Sequence, residues 1–151
     1  MLSYYLSLGS NINPKENITS AIRLLKSEFQ VTNISNFYLT AASGFEGEDF
    51  INGCIEISGT DKNFEHTESL LKSIEDDFGR DRSLPKFSNR PLDIDIVLAL
   101  QGENLIYISK EIQLYDFVSI PLREILSTKT ADKLELAQIN NASFKKVEIY
   151  L

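Results

Sequence analysis

The sequence predicts an α+β sandwich with an antiparallel sheet, and three observations support this. Hydrophobic residues alternate over residues 2–8, they recur at three- and four-residue steps over about residues 14–29, and both rhythms then return further along the chain. In the first stretch Leu2, Tyr4, Leu6 and Leu8 fall on one side and Ser3, Tyr5 and Ser7 on the other, the period of a strand. Gly9-Ser10-Asn11 breaks that strand. Asn13-Pro14 then supplies an N-cap followed by proline at the first helical position. Ile18, Ala21, Ile22, Leu25 and Phe29 mark one face of the helix that follows.

Residues 30–39 and 50–58 are β-rich, separated by Ser43-Gly44-Phe45-Glu46-Gly47, a loop with glycine turn signals. Asp61 to Asn63 opens a second helix with Leu70, Leu71, Ile74 and Phe78 facing inward and Gly79 near its end. Residues 80–91 carry Pro85 and Pro91 and read as a loop. Leu92 to Leu100 is a strand, and Gln101-Gly102 turns the chain into a short strand at 104–108. The order is β-α-β-β-α-β with additional C-terminal elements, which predicts a ferredoxin-like sandwich whose helices cover one sheet face. Pro121 to Leu126 suits a short helix, and residues 144–151 suit helix or strand. Without repeats or linker composition, residues 1–151 read as one domain.

At 151 residues, 42% hydrophobic and 25% charged, the composition is that of a folded chain with a real core. No apolar run approaches the roughly 20 residues needed to cross a bilayer. The segment Met1-Leu2-Ser3-Tyr4-Tyr5 lacks the basic region of a signal peptide. A single cysteine, Cys54, excludes an internal disulfide and suits a reducing, cytoplasmic compartment. With only His66 beside it, a Cys/His zinc site and a histidine-assisted nucleophile are both excluded. A net charge of -7 argues against nucleic-acid and anionic-membrane partners, and a monomer is expected.

The sharpest chemical signal is Leu92-Asp93-Ile94-Asp95-Ile96. On a strand, Asp93 and Asp95 project together while Leu92, Ile94 and Ile96 enter the core. Two neighbouring carboxylates repel one another unless a cation sits between them, and hard oxygen ligands in a pair suit magnesium. Alternatively, both aspartates face water on an exposed sheet surface. Immediately upstream, Arg80, Arg82, Lys86 and Arg90 are opposed only by Asp81. Metal and guanidinium groups side by side are what a transferring polyphosphate requires. No Gly-x4-Gly-Lys-Ser/Thr loop is present, and Gly9-Ser10-Asn11 is too glycine-poor for a dinucleotide fingerprint, although its backbone or amide could contact a ligand. Phe50 and Asn52, two residues apart on one strand face, could stack on and hydrogen-bond a heterocycle. They could equally be a core phenylalanine beside a turn-adjacent asparagine.

In order, the segments Leu6-Ser7-Leu8-Gly9-Ser10-Asn11, Ser35-Asn36-Phe37-Tyr38-Leu39-Thr40, Asp49-Phe50-Ile51-Asn52, Ile74-Glu75, Gly79-Arg80-Asp81-Arg82, Asn89-Arg90-Pro91-Leu92-Asp93-Ile94-Asp95-Ile96 and Phe117-Val118-Ser119-Ile120-Pro121-Leu122 resemble the 6-hydroxymethyl-7,8-dihydropterin pyrophosphokinases of folate biosynthesis. The resemblance implies transfer of pyrophosphate from ATP to the pterin hydroxymethyl group, with release of AMP. It implies two magnesium ions held by Asp93 and Asp95, and Arg80, Arg82 and Arg90 as catalytic arginines. Phe50 and Phe117 match the aromatics that sandwich the pterin, with Thr40 and Asn52 at its polar edge. Glu75, Arg80, Ile96 and Lys110 match the nucleotide side, and Lys86 and Phe87 align with an arginine–tryptophan pair in a loop that closes over the substrates. The chain departs from the pattern at Ala41-Ala42, Ile108-Ser109 and Tyr115-Asp116. Those departures leave a second reading, a non-catalytic pterin- or nucleotide-binding paralogue.

Overall fold

A computed structural model describes residues 1–134, 136 and 144–150. The alternating N-terminal segment forms β1 (Leu2–Ser10), which runs antiparallel between β4 (Phe50–Thr60) and β5 (Asp93–Gln101). With both edges paired, Gly9 and Ser10 stay in the ladder, and the strand ends two residues later than its apolar pattern. Its faces divide as the alternation predicts: Tyr4, Leu6 and Leu8 enter one core and Tyr5 another.

Helix α1 (Pro14–Glu28) buries Ile18, Ala21, Ile22 and Leu25, and Phe29 ends it. Asn13 precedes the proline as expected. Its backbone, however, is left-handed (φ 42°, ψ 53°) and its side chain makes no capping bond, so the cap is conformational only.

The β-rich stretch 30–39 is two strands rather than one, β2 (Gln30–Ile34) and β3 (Phe37–Thr40), both laid along the same edge of β4. The break falls at Ser35. Its N–H donates to the Cys54 carbonyl at 2.9 Å, and its hydroxyl accepts from the Cys54 N–H at 2.8 Å, so a side chain replaces one rung of the ladder. Helix α2 (Phe64–Asp77) starts where Asn63 accepts from the His66 N–H at 2.9 Å. With β6 (Asn104–Ile108) and β7 (Lys145–Val147), the sheet is seven-stranded, ordered β6-β5-β1-β4-β3-β7 with β2 also on β4, and every described pairing is antiparallel. The ambiguous C-terminal stretch is thus a strand over its centre, while residue 151 lies outside the described residues.

The expectation that helices cover one sheet face needs correction. Helices α1 and α2 pack on the face carrying Tyr4, Leu6 and Leu8. On the other face, α3 (Glu111–Leu114) and α4 (Asp116–Ile125) press Ile112, Val118 and Leu122 against Tyr5, Cys54, Val97 and Leu98. Helix α4 begins five residues before the proline that reads as a helix start; Pro121 sits inside it and forgoes one backbone bond. A last short helix, α5 (Thr128–Asp132), follows. No helix among the described residues is long and apolar enough to cross a membrane.

Candidate active site

Asp93 and Asp95 lie at the start of β5, opposite Gly9 and Ser7 of β1, and Leu92, Ile94 and Ile96 are buried behind them, as the alternation predicts. The C-terminal turn of α2 brings a third carboxylate. Gly79 takes a left-handed φ of 93°, its N–H bonds the Asp76 carbonyl at 3.0 Å, and the Arg80 N–H bonds the Glu75 carbonyl at 3.1 Å. This glycine-terminated turn folds Arg80 back over Glu75. The buried Glu75 carboxylate accepts from the Ile94 N–H at 2.8 Å, which pins α2 to β5 between the two aspartates. Ligand oxygens of Glu75, Asp93 and Asp95 all lie within 4.8 Å of one another.

Arginines surround this group. Arg80 Nη1 is 3.4 Å from both Glu75 Oε2 and Asp93 Oδ1, and Arg90 Nη1 is 3.6 Å from Asp93 Oδ1. Arg82 reaches Glu75 Oε1 at 3.1 Å, but it also grips Asp76 at 3.0 Å and the Lys72 carbonyl at 3.2 Å, so much of its hydrogen bonding is directed along α2. Asp95 is open to the cleft, yet desolvation by the surrounding protein, then the Asp93, Glu111 and Glu75 charges, hold it well above the usual carboxylate range against the opposing pull of Arg80. Burial likewise raises Glu75, partly offset by the Ile94 N–H and both arginines. Ionised together without a cation, these groups are costly; a hard cation is the natural counter-charge.

The carboxylates line a cleft of about 630 Å³. At its β3–β4 end the Asn52 amide donates to the Thr40 hydroxyl at 2.6 Å, and Phe50 meets Phe45 edge-on at 6.3 Å between centroids. Gly9 leaves room there: a Cβ on it would stand 2.6 Å from Asn52 Oδ1. Phe117 also lines the cleft, its ring stacked on Tyr115 at 4.9 Å and 20°. Lys86 and Phe87 form part of the wall, the ammonium 5.5 Å from the ring centroid. Ile96 lines the cleft from β5.

Two sequence expectations shift. Lys110 is exposed and absent from the cleft lining; its neighbour Glu111 is there instead, its acidity weakened by burial and by Asp93. The Asn11 amide, a candidate ligand contact, is already committed to the loops. It donates to the Asn89 side chain at 2.8 Å and to the Glu48 carbonyl at 3.2 Å, and its oxygen accepts from the Arg90 N–H at 2.7 Å. Phe45, Tyr107, Glu111 and Tyr115 line the cleft without having been singled out. Only Phe45, an aromatic between two glycines in a turn, carried a local hint.

Carboxylates and arginines that can hold a metal-bound polyphosphate, beside an aromatic slot with one amide, suit the pyrophosphokinase class of transferases. The chain belongs to the 7,8-dihydro-6-hydroxymethylpterin-pyrophosphokinase family, which it matches over residues 5–127. It is 34% identical over 127 residues to a 2-amino-4-hydroxy-6-hydroxymethyldihydropteridine pyrophosphokinase of Synechocystis sp., over 80% of this chain and 64% of that protein. To a protein of the same name from Porphyromonas gingivalis it is 29% identical over 135 residues, 83% of this chain and 91% of that one. It is also 32% identical over 135 residues to the folate synthesis bifunctional protein of Arabidopsis thaliana, over 84% of this chain and 28% of that protein. The chain therefore spans under two thirds of the Synechocystis relative and just over a quarter of the plant one.

Proposed function

We propose that this chain transfers the pyrophosphoryl group of ATP to the hydroxymethyl group of 6-hydroxymethyl-7,8-dihydropterin, releasing AMP, in folate biosynthesis. The observation that carries this reading is that one cleft joins the Glu75–Asp93–Asp95 carboxylates and their arginines to the Phe50–Asn52–Thr40 end. In the reaction the pterin alcohol oxygen bonds to the β-phosphorus, the bond from that phosphorus to the AMP bridging oxygen breaks, and the alcohol proton is released.

Each group has a task. Phe50 and Phe117 would hold the pterin plane, and Asn52 and Thr40 its polar edge, fixing the alcohol against the phosphate chain. Arg80 and Arg90, each facing Asp93, would stabilise charge on the β- and γ-phosphate oxygens, with Arg82 supporting Glu75. Lys86 and Phe87 sit on the loop that would exclude water. Ile96 and Glu75 belong to the nucleotide side, with Lys110 a more distant charge. Magnesium fits the hard-oxygen donor set, and its charge would offset the carboxylate repulsion that weakens the acidity of Asp95; two ions shared by Asp93 and Asp95 would neutralise the phosphates and polarise the β-phosphorus. The lack of repeats or linker composition supports a single domain and the lone cysteine a reducing, cytoplasmic compartment, while the charge of -7 supports a monomer acting on small molecules without nucleic acid or anionic membrane. Nothing observed favours the non-catalytic paralogue.

The test is direct. Protein, ATP, magnesium and the pterin alcohol should yield AMP, with none formed when the pterin is omitted, and Asp95→Asn should remove turnover while leaving the fold intact. Full activity in Asp95→Asn would overturn the metal assignment, and absence of pterin-dependent AMP would overturn the reaction.

A further inference from the structure

Tyr107 lies outside every motif of the family resemblance, yet its ring lines the same cleft as the carboxylates. It sits on β6, the outermost described strand on its side of the sheet, opposite Ala99 of β5. Alanine there leaves no bulk to compete for the space above the strand. The ring is 38% exposed and is supported on one flank by Phe64 of α2, at 4.7 Å between centroids and 56°. Phe64 in turn meets the fully buried Tyr4 edge-on at 6.5 Å and 66°. Tyr4 is itself fixed by its hydroxyl, which donates to the Lys62 carbonyl at 2.8 Å. Three rings thus run from the core to the cleft, and the last is held from behind while its remaining surface opens toward ligand.

Strand order gives this ring its place along a bound nucleotide. Asp93 and Asp95 stand on β5, one strand from β6 and two from β4, where Phe50 and Asn52 lie. At roughly 4.8 Å between strands, the span from β4 to β6 is roughly 15 Å. A triphosphate held at β5 with its β-phosphorus turned toward β4 must send its nucleoside the other way, toward β6. Leu71 of α2 and Ile96 of β5 line the same cleft and add apolar surface to it.

We propose that Tyr107 is the specificity-determining residue for the base of the nucleotide, offering a rigidly backed aromatic face that favours the larger purine over a pyrimidine. This rests on the reading of the cleft as a nucleotide site. The face is sequence-tolerant in its chemistry, since every base has a π surface, and it discriminates through overlap area.

The experiment measures magnesium-dependent binding of ATP and CTP by calorimetry, and KM for ATP against kcat, in the wild type, Tyr107→Phe and Tyr107→Ala. Removing the ring should weaken ATP about tenfold and CTP less, so that the ATP-to-CTP preference collapses. KM for ATP should rise with kcat nearly unchanged, and Tyr107→Phe, which keeps the ring, should restore both. An unchanged ATP-to-CTP ratio in Tyr107→Ala, in an enzyme that still makes AMP, overturns the role of Tyr107 and leaves the reaction standing. Ring-dependent ATP binding without pterin-dependent AMP supports the role and overturns the reaction; a wild type that binds no ATP overturns both.

Discussion

Gly9→Ala isolates the pterin end of the cleft from the rest of the molecule. The new methyl carbon would stand 2.6 Å from Asn52 Oδ1 and 3.8 Å from a Phe50 ring carbon. The first distance is about 1 Å short of a comfortable carbon contact. Asn52 is buried and cannot swing into solvent, so it yields by leaving the Thr40 hydroxyl, to which it donates at 2.6 Å. A buried amide deprived of its partner costs about 1–3 kcal/mol, and crowding adds a comparable amount. Gly9→Ala should therefore lower unfolding free energy by about 2–6 kcal/mol and weaken pterin binding at least about tenfold. Urea denaturation and pterin calorimetry read the two effects, while magnesium–ATP binding should stay within about twofold, since the atoms nearest the new methyl belong to Asn52 and Phe50 of β4 rather than to Asp93 across the strand. In an Asn52→Ala background the added methyl meets empty space, so the second substitution should cost little. Pterin affinity and urea midpoint both unchanged in Gly9→Ala would refute this account of the close approach.

Glu75→Ala strands the Ile94 N–H and removes the partner of two arginines; urea midpoints should show a loss of about 2–3 kcal/mol that added magnesium does not recover. The weakened acidity of Asp95, its pKa standing above the ordinary aspartate value, has a defined consequence for the metal-free protein. The protonated form is favoured by folding, so this contribution is fully present below the ordinary aspartate value of about 4 and is lost as pH rises through the raised one. Metal-free protein should thus lose stability across that window, millimolar magnesium should flatten the slope, and Asp95→Asn should flatten it without metal; equal slopes in wild type and variant would contradict the assignment. Cys54 is fully buried, and burial and Glu124 push its thiol well above the ordinary range, so a disulfide reagent should titrate no thiol in the native chain and one after unfolding.

The carboxylate pair was readable because a strand's period of two ties Asp93 and Asp95 to one face whatever surrounds them. Phe50 and Asn52 were readable for the same reason, although only the cleft separates a ligand slot from a core pair. Glu75 came by resemblance, and its hydrogen bond to Ile94 explains its placement. Other features lay beyond apolar patterning. The split at Ser35 depends on one hydroxyl replacing a backbone rung. The exchange of Lys110 for Glu111 depends on the orientation of a helix only four residues long, which periodicity cannot phase. The second layer of helices was hidden because Pro121, a typical helix opener, lies in the interior of α4.

The bond from the Ile94 amide to Glu75 ties two kinds of event together. That amide belongs to the strand carrying the paired aspartates, and its acceptor belongs to the helix that delivers Arg80 and Arg82. Swinging α2 away from the sheet therefore strips the cleft of an acid and two cations at once. Hydrogen exchange at this one amide is consequently a clock for the whole catalytic end, slowed by any ligand that bridges helix to strand.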